Sequence, residues 1–242
     1  MKVIDSLQDF YRENGIFAEN FQCVSESRCR YAAENNGGTF TTAREPIIGQ
    51  RYLDSWPKIV VVSLDPGSQY DKNEDRFLEP HELKLQTVDH AVKHLGPMNR
   101  HWYRTHEGVA AIVRKTKSMD ITPNEAALWF AHTSVVRCCA NLPHSKQAPP
   151  AMFWNCRRFL QGEIAIFKPD IVWTQGDRAY EAMSWVAGNI AKDATPTANF
   201  FKIIFDWGSF SWVHTDHPFA ARGSKARWGK ALDILKSLKI GK

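Results

Sequence analysis

An α/β fold with a mostly parallel central sheet between two layers of helices is what this sequence predicts, and three observations carry it. Short β-branched runs alternate with stretches of helical periodicity, the runs stop abruptly at glycine or proline, and no internal repeat or low-complexity linker divides the 242 residues. Such alternation is the pattern of β-α-β units, whose crossover helices cover both faces of a parallel sheet. An undivided chain of this length predicts one three-layer α/β/α domain over residues 1–242, large enough for a single core.

Taken in order, residues 5–18 show helical periodicity in Leu7, Phe10, Tyr11 and Phe17, with Asp5 or Ser6 as the N-cap. Residues 20–57 read as irregular, broken by Asn35-Asn36-Gly37-Gly38 and Pro46. Ile59-Val60-Val61-Val62 is uncharged and β-branched, as a strand buried on both faces should be, and Pro66 and Gly67 stop it. A long polar loop through Pro80 follows, then helical patterns at 81–95, 100–116 and 123–130. A second strand is predicted over 131–137, and a loop over 141–150 leads into a helix at 151–167. Ile171-Val172-Trp173-Thr174 is a third strand, ended by Gln175-Gly176, with a helix over 177–186. Two more β-like runs, 200–205 and 210–214, precede a closing helix over 225–239 that Ser224 could cap.

Composition narrows the function classes without choosing among them. Hydrophobic residues make up 43% and charged residues 24% of the chain, which excludes disorder as the default. Nine tryptophans and fourteen phenylalanines are first a core rich in rings and second a surface able to stack bases. The net charge of +5 is compatible with nucleic acid. It is uneven, because residues 222–242 hold Arg222, Lys225, Arg227, Lys230, Lys236, Lys239 and Lys242 against Asp233 alone. A solvated helix face explains that as well as a phosphate contact does. No stretch has the length of a membrane span, and the first residues lack the apolar core of a signal peptide, so a cytoplasmic protein with no membrane partner is expected. Five cysteines in a reducing compartment are then not a disulfide framework.

Chemistry-bearing residues fall at strand ends. Asp65 directly follows the first strand, Thr133-Ser134 lie within the second, and His217-Pro218 follow the last. In an open α/β sheet the carboxyl ends of strands form the ligand-binding edge, so Asp65 and His217 could share a cleft. An Asp and a His suit water activation and stabilisation of a developing anion, although Asp-Pro-Gly is also a common turn. Cys23 and Cys29 lie early, Cys138 and Cys139 follow the second strand, and Cys156 lies on the next helix. These could supply four thiolates to an iron–sulfur cluster or zinc, or be buried free thiols.

The order of these motifs resembles the uracil-DNA glycosylase superfamily, closest in layout to its iron–sulfur branches. The resemblance runs over roughly residues 20–240. It rests on Val62-Ser63-Leu64-Asp65-Pro66-Gly67, Thr133-Ser134-Val135-Val136-Arg137-Cys138, Asn155-Cys156-Arg157-Arg158, Lys168-Pro169-Asp170-Ile171-Val172, Gly176-Asp177-Arg178-Ala179 and His217-Pro218-Phe219. It implies that fold, and a DNA glycosylase that hydrolyses the N-glycosidic bond of uracil or another deaminated base. Asp65 would activate water or stabilise the sugar cation, and His217 would stabilise the leaving base. Leu64, Gly67, Tyr70, Ser134 and Arg222 would contact substrate. Cys23, Cys29, Cys138 and Cys156 would hold a structural 4Fe-4S cluster, with zinc as the alternative, and a monomer acting on DNA is expected. Cys138 and Cys139 compete for one position, and the order Val-Arg-Cys favours Cys138.

The chain also departs from those branches. It has Asp where they carry glutamate or no carboxylate, its early cysteines are spaced wider than C-x-x-C, and Ser134 stands at an asparagine position, with His132 nearby. Two other readings stay open on this basis: a non-catalytic nucleic-acid binding protein on the same scaffold, and an N-glycosidase acting on RNA or free nucleosides.

Overall fold

A computed structural model describes residues 2–17, 20–42, 46–64, 85–86, 100–142, 147–190, 193–197, 200–218 and 225–238. The chain divides into two compact units. One comprises residues 1–46, 64–84 and 133–167, and the other residues 47–63, 85–132 and 168–242.

The second unit is built on the sheet. Its strands are β1 (Ile47–Gly49), β2 (Ile59–Ser63), β3 (Leu85–Gln86), β4 (Phe130–Ser134, its last two residues in the first unit), β5 (Ile171–Gln175), β6 (Asp193–Thr197), β7 (Phe200–Phe205) and β8 (Gly208–Thr215). They lie in the order β3-β1-β4-β2-β5-β8-β7-β6. The centre is parallel: β5 pairs in parallel with β2 on one side and with β8 on the other. The margin is antiparallel, because β7 pairs antiparallel with both β8 and β6.

Every residue of β2 and β5 is buried, as parallel strands covered on both faces must be. Alternation sorts their side chains. Ile59, Val61, Ile171, Trp173 and Val213 point to one face, where they meet helix α3 (Arg100–Lys117) through Val109, Ile112 and Val113, and helix α7 (Lys225–Lys236) through Trp228, Ala231 and Leu235. Trp212 and His214 point to the other face, where Tyr180 of helix α6 (Asp177–Ile190) packs on both rings. This gives the three layers that the alternation predicts. Gly108 brings α3 close to the sheet, since a Cβ there would stand 2.4 Å from the indole of Trp173. Gly176 takes the left-handed turn between β5 and α6, with φ of 86°.

The first unit is helical. Helices α1 (Lys2–Glu13) and α2 (Glu26–Glu34) both pack on α5 (Pro150–Phe167). Its core holds a charged pair: Arg137 and Glu163 form a salt bridge with side chains only 3% and 0% exposed. The Tyr11 hydroxyl donates to Glu163 Oε1 at 2.6 Å, Thr133 Oγ1 donates to Oε2 at 2.7 Å, and Arg137 Nη2 donates to Thr133 Oγ1 at 2.5 Å.

Several predicted boundaries are corrected. The first helix begins at Lys2, so Asp5 and Ser6 are internal rather than caps, and it ends where Gly15 turns left-handed with φ of 64°. The segment read as irregular contains α2, whose burial of Cys29 and Ala33 compensates for a weak apolar pattern, and three-residue β1. The helix predicted over 123–130 is one turn, α4 (Pro123–Ala126), closed by the Thr122–Glu125 capping box, and sheet pairing takes the chain from Phe130 onward. Strand β4 accordingly starts one residue early and ends at Ser134 rather than Arg137. Helix α6 runs to Ile190 instead of 186, and α7 stops at Lys236 instead of 239. Strand β6 escapes notice because it contains Pro196; it is the last strand of the sheet, where proline is tolerated. Leu85–Gln86 form a strand within the stretch read as a helix. The rest of that stretch, the loop through Pro80 and Ser224 lie outside the described residues.

Candidate active site and cysteine cluster

The carboxyl edge of the parallel strands carries a connected polar cluster within the second unit. Ser63 ends β2, Gln175 ends β5, His132 lies on β4, and His217 follows β8 by two residues. Helix α3 adds His101 in its first turn and Thr105 one turn later. Ser63, Thr105 and Gln175 are at most 1% exposed, and His132 is buried as well. His101 and His217 are half-buried.

Hydrogen-bond inventory orders the protons. A Gln carbonyl oxygen only accepts. Gln175 Oε1 takes Ser63 Oγ at 2.9 Å and His101 Nε2 at 3.0 Å, so His101 carries its proton on Nε2. With Ser63 donating to Gln175, its oxygen accepts from His132 Nε2 at 2.8 Å. The Gln175 amide donates to Thr105 Oγ1 at 3.0 Å, and that hydroxyl donates to the His101 carbonyl at 2.9 Å. The His101 and His217 rings stack with centroids 4.7 Å apart and planes 13° from parallel. Arg104 Nη1 donates to the Pro218 carbonyl at 2.6 Å, which fixes the turn that presents His217.

These imidazoles are held neutral. Burial lowers the pKa of His217 to about 3, and the neighbouring His101 adds to the effect. Burial also lowers His101, against the opposing hydrogen bond to Gln175. His106, behind the cluster with Trp102 edge-on to its ring, is lowered by burial to about 4 despite the Pro123 carbonyl. At neutral pH a half-buried His217 therefore offers one N–H donor and no charge.

The first unit gathers the cysteines. All five are free thiols; Cys29, Cys138, Cys139 and Cys156 are buried and Cys23 is half-buried. Burial raises Cys138 well above the ordinary thiol range, and the charges of Cys156, Cys29, Cys23 and, least, Cys139 add to it. Burial raises Cys156 to about 12, opposed by the Arg137 backbone N–H and reinforced by Cys29 and Cys23. Cys29 is raised by burial as well, while Asn155 Nδ2 donates to its sulfur at 3.3 Å and lowers it. Cys139 is tied instead into a backbone bridge with Thr41. Burial and neighbouring thiols thus disfavour ionisation of Cys29, Cys138 and Cys156, a cost that a bound cation would offset. Among the described residues, no three or more His, Cys, Asp or Glu side chains are arranged to hold a metal ion.

Of the other residues singled out from the sequence, Leu64 and Ser134 lie in the first unit. The Leu64 carbonyl accepts the Val136 N–H at 3.0 Å, and Ser134 ends β4 half-buried. Asp65, Gly67, Tyr70 and Arg222 lie outside the described residues. The sequence reading overlooked His101, Thr105 and Gln175 as site residues. The available signal was a His and a Thr four apart on a helix, and a glutamine closing an otherwise apolar strand.

The chain belongs to a recognised class. The family model described as Uracil DNA glycosylase superfamily matches residues 51–232, most of the chain, and the protein belongs to that superfamily. Its members are generally DNA glycosylases, enzymes that hydrolyse base–sugar bonds. The matched span includes β2, Asp65, Cys138, Cys156 and His217, and excludes Cys23 and Cys29. No curated protein matches the chain. Among the described residues, no helix is long and apolar enough to cross a membrane.

Proposed function

We propose that this protein is a DNA glycosylase that releases uracil or another deaminated base from DNA. The single observation that supports this most is the neutral, stacked His217 at the carboxyl edge of the parallel strands, in a chain of this superfamily. Breaking an N-glycosidic bond leaves negative charge on the base and positive charge on the sugar. His217 donates its N–H to an oxygen of the departing base, so the growing charge meets a donor already in place. Asp65, two residues beyond Ser63 in the chain, faces the sugar, where it positions water and stabilises the cation. The target nucleotide leaves the stack to reach these groups. Leu64, Gly67, Tyr70, Ser134 and Arg222 contact the extruded base and the strand that carries it. With Ser134 at the recognition position, the base accepted need not be uracil alone.

Cys23, Cys29, Cys138 and Cys156 are the ligands of a structural metal centre, a 4Fe-4S cluster or zinc. Such a centre, when bound, would supply a cross-link between the N-terminal segment and the segment after β4. It takes part in no chemical step. Iron, acid-labile sulfide and zinc analysis of purified protein distinguishes the alternatives, and absence of all three would return the cysteines to buried thiols. The protein acts as a monomer.

The activity is tested with oligonucleotides carrying uracil, hypoxanthine or xanthine, followed by alkaline scission at abasic sites. Scission with at least one base, abolished in Asp65→Asn while oligonucleotide binding persists, is the expected result. No release from any of the three would refute the proposal.

A further inference from the structure

We propose that His101 is a positioning residue for the catalytic imidazole: it stacks on His217, and Gln175, Ser63 and His132 lock its own ring. The inference rests on the glycosylase reading of this site. Three observations converge on it. The two rings are nearly parallel at 4.7 Å, so rotation of His217 about its ring bond would break a face-to-face contact. His101 is itself restrained, because its Nε2 shares the Gln175 oxygen with Ser63 Oγ, and Ser63 is in turn bonded to His132. Thr105 closes the loop by linking the Gln175 amide back to the His101 carbonyl one turn away. The residues that restrain His101 all sit on strands or on its own helix, and sites built on such elements hold their geometry better than sites on loops.

The contact also controls charge. Among the described residues, His101 of α3 stacks on His217, Arg104 of α3 binds the next residue's carbonyl, His132 of β4 stands beside His101, and the adjacent Asp216 is exposed. Arg104 is already committed to the Pro218 carbonyl and lies over the Trp228 ring. His101, fully engaged with an acceptor through Nε2, covers one face of His217 and keeps water from it. A proton on His217 would therefore lose its hydration and face a second imidazole. The ring is presented as a neutral donor of fixed orientation, which is what a leaving base anion requires.

The test compares wild type with His101→Ala and His101→Phe, the second keeping a ring in the stack. Titration of His217 is followed by NMR of its labelled imidazole, single-turnover base release is measured from pH 5 to 8, and oligonucleotide binding is measured in parallel. In wild type His217 should stay neutral across this range. In His101→Ala its titration should move up from about 3 by at least a unit toward the ordinary value near 6.5, and in His101→Phe, which still covers the ring, by less. The alanine variant should release base about 10²-fold more slowly, as misplacement of a catalytic group does, with binding unchanged. An unshifted His217 titration in both variants would overturn the inference, whatever the rates. If wild type releases no base, the glycosylase reading fails, while the NMR titration still decides whether His101 governs His217.

Discussion

In the first unit Arg137 and Glu163 are buried as a charged pair, each oxygen of the carboxylate also taking a hydroxyl from Tyr11 or Thr133. In the second, His101, His132 and His217 are brought together as rings on a glutamine–serine network, and burial holds His101 and His217 uncharged. The first arrangement pairs its charges internally, with Arg137 Nε the one guanidinium nitrogen among the described residues left buried without a hydrogen bond. It ties α1 and α5 to the segment that leads into Cys138, so its work is to hold cysteine-bearing segments in place. The second leaves a half-buried, uncharged imidazole at the sheet edge. Buried polarity is thus used for holding in one unit and for readiness in the other.

The contrast can be broken most forcefully on the structural side. Glu163→Gln leaves the Arg137 guanidinium buried without its counter-charge, and should lower stability by about 3–5 kcal/mol, read as a shift of the denaturant midpoint. Replacing both members together, as Arg137→Met with Glu163→Leu, should recover most of that loss. A double variant as unstable as the single one would mean that the pair holds something besides its own charges.

Gly108→Ala probes the support beneath the neutral cluster, because its methyl would collide with the Trp173 indole. Overpacking of this kind should cost about 1–3 kcal/mol and, by pushing α3 from β5, should slow base release more than it weakens oligonucleotide binding. Equal losses in both would mean that α3 supports the fold alone.

The mildest effect is that of pH. His217 and His106 have folded pKa values lowered to about 3 and about 4, so the unfolded chain binds more protons than the native one below about pH 6.5. Their contribution to stability is complete above that value and is lost progressively as pH falls toward 4 and then 3. A thermal melt rising in midpoint as pH drops from 7 to 5 would contradict neutral burial. Base release, for its part, should show no inflection near 6.5 from His217.

Much of this was legible in the sequence because local pattern and tertiary role agree there. Ile59–Ser63 and Ile171–Gln175 read as doubly buried strands, and their apolar β-branched side chains face both helical layers. Where the two disagree, the sequence misleads. Phe130 looks helical after Thr122 and Glu125, yet strand pairing claims it, and Pro196 hides an edge strand. At the site, His217 was visible because it follows a strand and precedes a proline. His101 was not, since a histidine in an amphipathic helix has no local mark; its partners Gln175 and His217 come to it only through tertiary packing. The cysteines could be counted, but their grouping in the first unit is a product of α2, α5 and the turn after β4 meeting in space.

The most direct test of the account is the single-turnover rate of base release by His217→Ala, set beside wild type on the same oligonucleotide with binding measured in both. Loss of one preorganised donor to a developing anion should slow release by about 10²–10³-fold at neutral pH, with oligonucleotide affinity unchanged. A variant that releases base at the wild-type rate would show that the neutral imidazole at the sheet edge is not what drives the leaving group out.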